Sequence, residues 1–505
     1  MAWWRDGVLY QIYPRSFADS NADGIGDLRG IVSRLDHLEW LGIDGVWLNP
    51  TFPSPNVDWG YDVADYYAVH PDLGTLADLD ELVAEAGRRG IRILLDLVPN
   101  HTSLAHPWFR ERPEFYVWVD EIPNNWRAAF GGGPAWTLDE ERGMYYLHNF
   151  APQQPDLDWW NPDVRSEFES IVRFWLDRGV GGFRIDVANA LVKDRELRDN
   201  PRATEADDPW ARRQGLASIY NANRPEVHEI FREWRRISDG YEPPRCFVGE
   251  AWVWDVAHWA AFWGAGGDEL HMLFDFRLLD ASFDAESLRA IVESTEAALP
   301  PGAWPALAGS NHDVVRFPSR WCKGDSDLVR CALLALLTLR GTPFLYYGDE
   351  LGMPAVDVPP DRILDVTDRS RDPSRTPMQW TAEPGAGFTE ARVEPWLPLG
   401  DAAACNVADQ RADPDSTLCF TRDVIILRRA SDDLRSGTYE RLDAPAGVWA
   451  WRRGGDTVVA LNLGGREARV DGVDGTVRIG TRRGRDGERV SGPLRLAARE
   501  GVVVS

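Results

Sequence analysis

Two charged residues, Arg184 and Asp186, interrupt an apolar segment that runs from Phe183 to Ala188. The segment follows a Gly181-Gly182 turn and its composition is typical of a buried strand. Residues two apart on a strand point to the same face, so we expect the guanidinium group and the carboxylate to meet. Such a pair is either a structural ion pair inside a barrel or part of a functional site. Shifted pKa values do not distinguish the two, since both kinds of network produce them.

Two further carboxylates favour the functional interpretation. Glu250 ends the segment Cys246-Phe-Val-Gly-Glu, and Asp313 ends Leu307-Ala-Gly-Ser-Asn-His-Asp. Three short apolar strands that each end in a carboxylate predict one shared site at the carboxyl ends of barrel strands. Such a group suits glycoside hydrolysis, in which one carboxylate attacks or activates water and another, held protonated, acts as the acid.

The elements that must position these residues alternate between strand-like and helix-like segments, which predicts a parallel sheet with crossover helices. Thr75 and Asn161-Pro162 are typical starts of helices, and Gly42 and Gly90 are typical ends. We count eight strands, which predicts an α/β fold with a closed (β/α)8 barrel. The predicted strands are residues 8–14, 43–48, 91–98, 183–188, 247–252, 270–276, 304–310 and 342–347.

Two stretches depart from the barrel pattern. From about His101 to Trp160 the chain is rich in Trp, Pro, Gly and Asn, which predicts a subdomain inserted after the third strand. After about residue 430, short alternating runs separated by Gly and Asp turns predict a small antiparallel β domain. We therefore assign residues 1–101 and 161–430 to the barrel, 102–160 to the insertion and 431–505 to a C-terminal β-sandwich.

Composition excludes several classes of partner. The net charge of −25 argues against binding to nucleic acid or to an anionic membrane surface. The five cysteines are an odd number without tight spacing, which favours free thiols in a reducing compartment. No apolar run reaches the roughly 20 residues of a membrane span, and the N-terminus lacks the layout of a signal peptide. A cytoplasmic location without a membrane partner is expected.

Four motifs follow one another in the order that the barrel requires: Asp96-Leu-Val-Pro-Asn-His101, Gly182-Phe-Arg-Ile-Asp186, Gly249-Glu250 and Asn311-His-Asp313. Together they closely resemble the conserved regions of the α-amylase family, glycoside hydrolase family 13. Gln154-Pro-Asp-Leu-Asp158 and the segment from Arg371 to Trp380 are similar to the oligo-1,6-glucosidase and α-glucosidase branch. The resemblance covers nearly the whole chain and weakens after about residue 430.

The resemblance implies a role for each catalytic residue. Asp186 would be the nucleophile, Glu250 the general acid and base, and Asp313 the stabiliser of the transition state. The family retains anomeric configuration, which requires the first two carboxyl groups to be about 5–5.5 Å apart. Arg184 is expected to keep Asp186 ionised, since a nearby cation lowers the pKa of a carboxyl group. The histidines that would donate to sugar hydroxyls are His101 and His312.

The resemblance also implies how the far end of the pocket is built. Tyr61 and Asp62 match the sugar-binding pair of the family, and Arg371 matches the arginine that meets that aspartate. A bidentate clamp of this kind would close the pocket and make the enzyme exo-acting. Phe150 and Gln154 would line the pocket from the insertion. The expected substrates are small oligosaccharide or disaccharide α-glucosides, with no organic cofactor.

A separate signal lies between Asp19 and Asp27. Oxygen-bearing side chains stand at positions 1, 3, 5 and 9 of this stretch, and Gly24 stands at position 6, as in a calcium loop. The glutamate that an EF-hand places at position 12 is absent. The spacing resembles a calcium loop that the glucosidase branch carries after its first strand, which implies a structural Ca²⁺ ion; its ligands would be Asp19, Asn21, Asp23, the Ile25 carbonyl and Asp27.

Two other functions stay open at this point. A transglucosidase or a sugar isomerase such as a trehalose synthase would use the same glucosyl-enzyme intermediate and the same catalytic residues. A non-catalytic relative is disfavoured, because all three carboxylates are present. The residues that follow Glu250, Ala251-Trp252-Val253, depart from the oligo-1,6-glucosidase pattern, and this departure leaves the linkage preference and the acceptor site open. Val187, directly after Asp186, favours an α-1,6 preference by the same resemblance.

Overall fold

The computed structural model describes residues 2–367 and 369–505. Eight parallel strands form one sheet in which each pairs with its neighbours in chain order, and the eighth pairs with the first. A parallel bridge between Phe274 and Ala306 joins the sixth strand to the seventh and closes the barrel. The predicted barrel is therefore confirmed; its strands are Leu9–Ile12, Gly45–Leu48, Arg92–Leu97, Gly182–Ile185, Cys246–Gly249, Met272–Leu273, Ala306–Ala308 and Thr342–Tyr346.

Helices connect the strands, and their ends follow the predicted signals. Thr75 caps its helix through a reciprocal pair with Asp78, and Asn161 caps a helix that begins with Pro162. The longer helices are Leu76–Arg88, Pro162–Asp177, Val227–Ser238, Ala285–Ala298, Ser326–Thr338 and Thr417–Ala430. The shorter α-helices are Trp3–Asp6, Leu28–Val32, Leu35–Leu41, Pro107–Glu111, Pro209–Gln214, Val256–Ala261, Phe276–Asp280, Phe317–Arg320, Asp372–Arg375, Val407–Ala412 and Asp432–Ser436. Single 3-10 turns lie at Pro14–Ser16, Pro113–Phe115, Asp349–Leu351, Pro360–Arg362 and Arg483–Arg485.

The barrel strands sort their side chains between two buried clusters. Alternate residues such as Leu9, Leu94 and Phe344 pack together in one cluster, while their neighbours belong to the larger cluster that includes the helices. This alternation follows from the two-residue period of a strand. Asp96 and Arg184 are paired in register on neighbouring strands, two residues beyond Leu94 and Gly182, so both charges share one face at the carboxyl end of the barrel.

The two predicted additions to the barrel are present. Between the third strand and the helix Pro162–Asp177 lies an antiparallel sheet of three strands, Trp118–Val119, Trp136–Asp139 and Met144–Leu147. The C-terminal region contains six paired strands, Tyr439–Arg441, Val448–Arg453, Thr457–Asn462, Asp474–Gly480, Arg489–Ser491 and Glu500–Val504, and a separate pair, Ala468–Val470 and Leu494–Leu496. Among the described residues, we find no helix with both the length and the apolar character that crossing a membrane requires.

Candidate active site

Asp186 and Glu250 each follow the last residue of a barrel strand, and Arg184 lies between their side chains. The Arg184 guanidinium is buried; its Nη1 lies 2.7 Å from Asp186 Oδ1, and its Nη2 contacts Glu250 Oε2. The backbone also joins the two positions, since the Glu250 N–H donates to the carbonyl of Ile185 at 2.8 Å. Two carboxylates that contact one guanidinium are close neighbours.

The ionisation of Asp186 differs from the expectation. Burial is the largest influence on its pKa and raises it to about 8, while Arg184 acts to lower that pKa. The carboxylates of Asp96 and Asp313 add to the rise. Arg184 therefore acts in the predicted direction, but removing the carboxylate from water outweighs the attraction of one cation, and the net pKa is raised. Arg184 is shared, since its Nη1 also lies 2.8 Å from Asp96.

Asp313 lies in a loop, five residues beyond the strand Ala306–Ala308, so the prediction that it ends the strand is wrong. Arg371 and Arg375 each place a guanidinium nitrogen 3.2 Å from Asp313 Oδ1. Burial acts to raise the pKa of Asp313, but His312 and the two arginines lower it well below its usual range. Burial in turn lowers the pKa of His312 well below its usual range.

Tyr61 is the centre of a packed group of rings. Its hydroxyl lies 2.6 Å from His312 Nε2, and the two rings stack with centroids 5.2 Å apart. The same hydroxyl donates to Asp96 Oδ2 at 2.9 Å. His101 donates from Nε2 to the Tyr61 carbonyl at 3.0 Å, and the half-buried ring of Phe150 lies 5.2 Å from His101. The structure therefore brings these four predicted binding residues together beside the carboxylates.

The clamp at the far end has a different partner from the one predicted. Arg371 Nη2 lies 2.6 Å from Asp58 Oδ1, whereas Asp62 is fully buried and accepts from Ser54 Oγ and from the backbone N–H groups of Val57 and Asp58. The prediction that Arg371 meets Asp62 is wrong. Asp62 is needed to satisfy the backbone of its own loop, and that loop presents Asp58 instead. Gln154 is buried and donates to Asp58 Oδ2 at 3.1 Å.

Sequence reasoning missed several residues that hold the site. Asp365 binds Arg371 through Nε, Nη2 and the backbone N–H. Arg375 is fully buried against Asp313 and the His312 carbonyl. Asp58 stands three residues before Tyr61, so its carboxylate was a visible candidate, whereas Asp365 stands in a loop without a recognisable pattern.

A buried ammonium group ties the loops together. Lys193 Nζ lies 2.9 Å from Asp156 Oδ2 and 2.6 Å from both Asn100 Oδ1 and the Ala190 carbonyl. These partners belong to the insertion, to the segment just after the third strand and to the loop after Asp186. A buried charge is tolerated when it is paired and hydrogen-bonded, so Lys193 fixes the insertion against the loop that follows Asp186.

The stretch from Asp19 to Asp27 folds into a compact loop. Asp19 accepts from the backbone N–H groups of Asn21, Ala22 and Gly24, and Asp27 caps the next helix by accepting from Gly30 N. Within the described part of the chain, no group of three acidic, histidine or cysteine side chains is close enough to hold a metal ion. The oxygen donors suit calcium by their chemistry, and the ion stays a prediction.

Comparisons with known proteins agree with this geometry. The family model of the α-amylase catalytic domain matches residues 11–437. A probable α-glucosidase of Rhizobium meliloti is 40% identical over 89% of this chain and 87% of that protein. The trehalose-6-phosphate hydrolase of Escherichia coli is 38% identical over 91% of both chains. A crystal structure of the α-glucosyl transfer enzyme XgtA superposes with a TM-score of 0.92 at 37% identity, covering 100% of each chain.

Proposed function

The chain belongs to the α-amylase family of glycoside hydrolases, and from that premise we propose that it is a retaining, exo-acting α-glucosidase. It releases glucose from the non-reducing end of short α-glucosides. The observation that carries the proposal is the position of Asp186 and Glu250 on either side of the buried Arg184 guanidinium. A retaining glycosidase needs its two carboxyl groups close together, and contact with one shared guanidinium supports this.

The mechanism follows from the roles of the two carboxyl groups. Asp186 attacks the anomeric carbon of the glucosyl unit, and Glu250 gives its proton to the leaving oxygen. Glu250 then accepts a proton from water, which attacks the anomeric carbon and breaks its bond to Asp186. Asp313, kept negative by Arg371 and Arg375, stabilises the positive charge that develops on the ring.

The closed end of the pocket supports the exo-acting part of the proposal. Arg371 is nine-tenths buried and bridges Asp58 to Asp313. We infer that a charged bridge at this position limits the pocket to one glucosyl unit beyond the scissile bond and supplies hydrogen-bond donors to its hydroxyls. A longer chain could not extend past it.

The substrates, partners and location follow as proposals of the same kind. The substrate class is a small disaccharide or oligosaccharide α-glucoside, and the net charge of −25 disfavours nucleic acid as a partner. Five free cysteines favour a cytoplasmic location, since thiols stay reduced there.

A second function is favoured by one specific observation: a solved relative with the same architecture is an α-glucosyl transfer enzyme. Transfer uses the same glucosyl-enzyme and replaces water by an acceptor hydroxyl. The catalytic residues are the same for both reactions, so the balance depends on how well the site holds an acceptor.

A substrate panel tests the main proposal. Maltose, isomaltose, sucrose, trehalose and 4-nitrophenyl α-glucoside are each incubated with the enzyme, and the products are separated at low and high substrate concentration. We expect glucose from at least one substrate, and NMR should show the α-anomer first. Early β-glucose would contradict retention, release of maltose from longer chains would contradict the exo-acting assignment, and sugar transfer at low substrate concentration would favour the second function.

A further inference from the structure

Asp365 stands six residues before Arg371 and binds one edge of its guanidinium. Arg371 Nε lies 3.0 Å from Asp365 Oδ2, and Arg371 Nη2 lies 2.6 Å from Asp365 Oδ1. The Arg371 backbone N–H donates to the same carboxylate at 2.6 Å. Asp365 therefore holds Arg371 at its backbone and at its side chain, and a bidentate arrangement of this kind fixes geometry as well as charge.

The plane of the guanidinium sets the direction of every other donor on it, because the group is planar and carries its N–H donors in a rigid fork. Asp365 holds the edge between Nε and Nη2. The remaining donors then point towards Asp58, 2.6 Å from Nη2, and towards Asp313, 3.2 Å from Nη1. Without the edge contact, the long side chain could reach these carboxylates in more than one rotamer, and fixing one rotamer costs entropy.

The loop around Asp365 keeps its carboxylate in one place. The Asp365 side chain is 0% exposed. Asp372, which is also buried, accepts from the backbone N–H groups of Leu364 at 2.6 Å and of Asp365 at 3.1 Å. The Trp59 indole N–H donates to the Leu364 carbonyl at 3.2 Å, which ties this loop to the residue after Asp58. The two aspartates that bind one guanidinium are thus also joined through their loops.

We propose that Asp365 is a positioning residue, which fixes the Arg371 guanidinium in the orientation that a bound glucosyl unit meets. The inference rests on the proposed function, because the hydroxyls that Arg371 would meet belong to that unit. Asp365 itself needs no contact with the sugar, since it acts through Arg371. An arginine that is already ordered loses no rotamer freedom when the sugar binds, and this preorganisation increases affinity.

A double-mutant cycle tests this role. Asp365→Asn is nearly isosteric and removes the charge that pairs with the guanidinium. We expect KM for 4-nitrophenyl α-glucoside to rise about tenfold, the effect of ordering about one long side chain on binding, while kcat falls by a smaller factor. In the Arg371→Lys background, which has no planar fork to orient, adding Asp365→Asn should change KM by less than about twofold.

Asp372→Asn is the matched control, because it removes a buried charge from the same loop and its carboxylate accepts from backbone N–H groups of that loop. This variant should lower the melting temperature and change KM little. Circular dichroism verifies that each variant is folded. Three outcomes would overturn the proposal: an unchanged KM in Asp365→Asn, an equal rise in the Arg371→Lys background, or an equal rise in Asp372→Asn.

Calorimetric titration with glucose measures binding without turnover and separates this role from the proposed function. If the wild type cleaved no α-glucoside but bound glucose more tightly than Asp365→Asn does, the proposed function would fail and the role of Asp365 would stand. Equal affinities of the two proteins for glucose would overturn the positioning role.

Discussion

The Arg371 guanidinium lies 2.6 Å from the carboxylate of Asp58 and connects it to Asp313, 3.2 Å from Nη1. One side chain therefore joins the proposed closed end of the pocket to the carboxylate that is predicted to stabilise the transition state. Asp365 lies 2.6 Å from the same guanidinium. The carboxylates of Asp58 and Asp313 are thus linked through Arg371.

This linkage predicts different effects for two neighbouring aspartates. Asp58→Asn removes a charged partner of Arg371, so kcat/KM should fall by about 10- to 100-fold, as the loss of a charge-assisted hydrogen bond usually costs. Asp62→Asn should lower the melting temperature and change KM little, because Asp62 contacts only its own loop. Kinetics and thermal unfolding of both variants check this, and a larger catalytic loss in Asp62→Asn would restore the original assignment.

Asp186→Asn should abolish turnover and leave the fold intact, because the substitution is nearly isosteric and removes the nucleophile. The loss should be about a thousandfold or more, since activity without the covalent step depends on binding and electrostatics alone. Circular dichroism verifies the fold. More than a few per cent of residual activity, in a preparation free of wild-type enzyme, would show that another group is the nucleophile.

The raised pKa of Asp186 predicts how activity and stability depend on pH. Attack requires the ionised carboxylate of Asp186, so kcat/KM should fall on acidification. The fall should begin at a pH clearly above about 4, which is the usual pKa of a carboxyl group. The folded state binds this proton more tightly than the unfolded state, so the free energy of unfolding should decrease as pH rises from about 4 to about 8.

Two pH series check this prediction. The first measures kcat/KM for 4-nitrophenyl α-glucoside between pH 4 and 9. The second compares urea unfolding of the wild type with that of Asp186→Asn, which should lose this part of the pH dependence. A kcat/KM that stays constant down to pH 4.5 would contradict the raised pKa.

Removal of calcium should lower the melting temperature by a few degrees and affect kcat less. An ion that binds only the folded state stabilises it by mass action, and the loop from Asp19 to Asp27 is distant in sequence from the carboxylates. Asp23→Ala should remove the response to calcium, since Asp23 is the most exposed of the acidic donors in the loop. An unchanged melting temperature after chelation, with metal loss verified by elemental analysis, would exclude a stabilising site.

Val187 is predicted to set the linkage preference. It is partly exposed between the buried residues Asp186 and Ala188 and has a φ of +41°, a region that β-branched residues rarely adopt. A stiff side chain there restricts a 1,4-linked second ring more than a flexible 1,6-linked one. Val187→Ala should therefore lower the ratio of kcat/KM for isomaltose over that for maltose. The change should correspond to a difference in transition-state free energy of at most about 1–3 kcal/mol.

The control for this prediction is the wild type itself. If it already prefers maltose, the α-1,6 assignment is wrong whatever the variant does. A ratio that stays the same in Val187→Ala, with an unchanged melting temperature, would show that the residue does not discriminate linkages.

The sequence alone determined the fold class and the location of the site. Hydrophobic periods of two and of three to four residues distinguish strands from helices, and the parallel order places the carboxyl end of each strand at one face. Asp186 and Glu250 could therefore be assigned to one site, because each stands at the end of a strand. Asp313 was correctly grouped with them by its motif, although it lies in the loop beyond its strand.

Only the tertiary structure decided which charged groups meet and how burial changes the pKa of Asp186. Asp58 and Asp62 are four residues apart in one loop, and spacing cannot tell which carboxylate reaches Arg371, because loop residues follow no fixed period. The turn between them contains Trp59 at φ +48° and Gly60 at φ +105°, which separates the directions of the two side chains. The pKa of Asp186 likewise depends on burial from water by distant segments, and this desolvation has no signature in the local sequence.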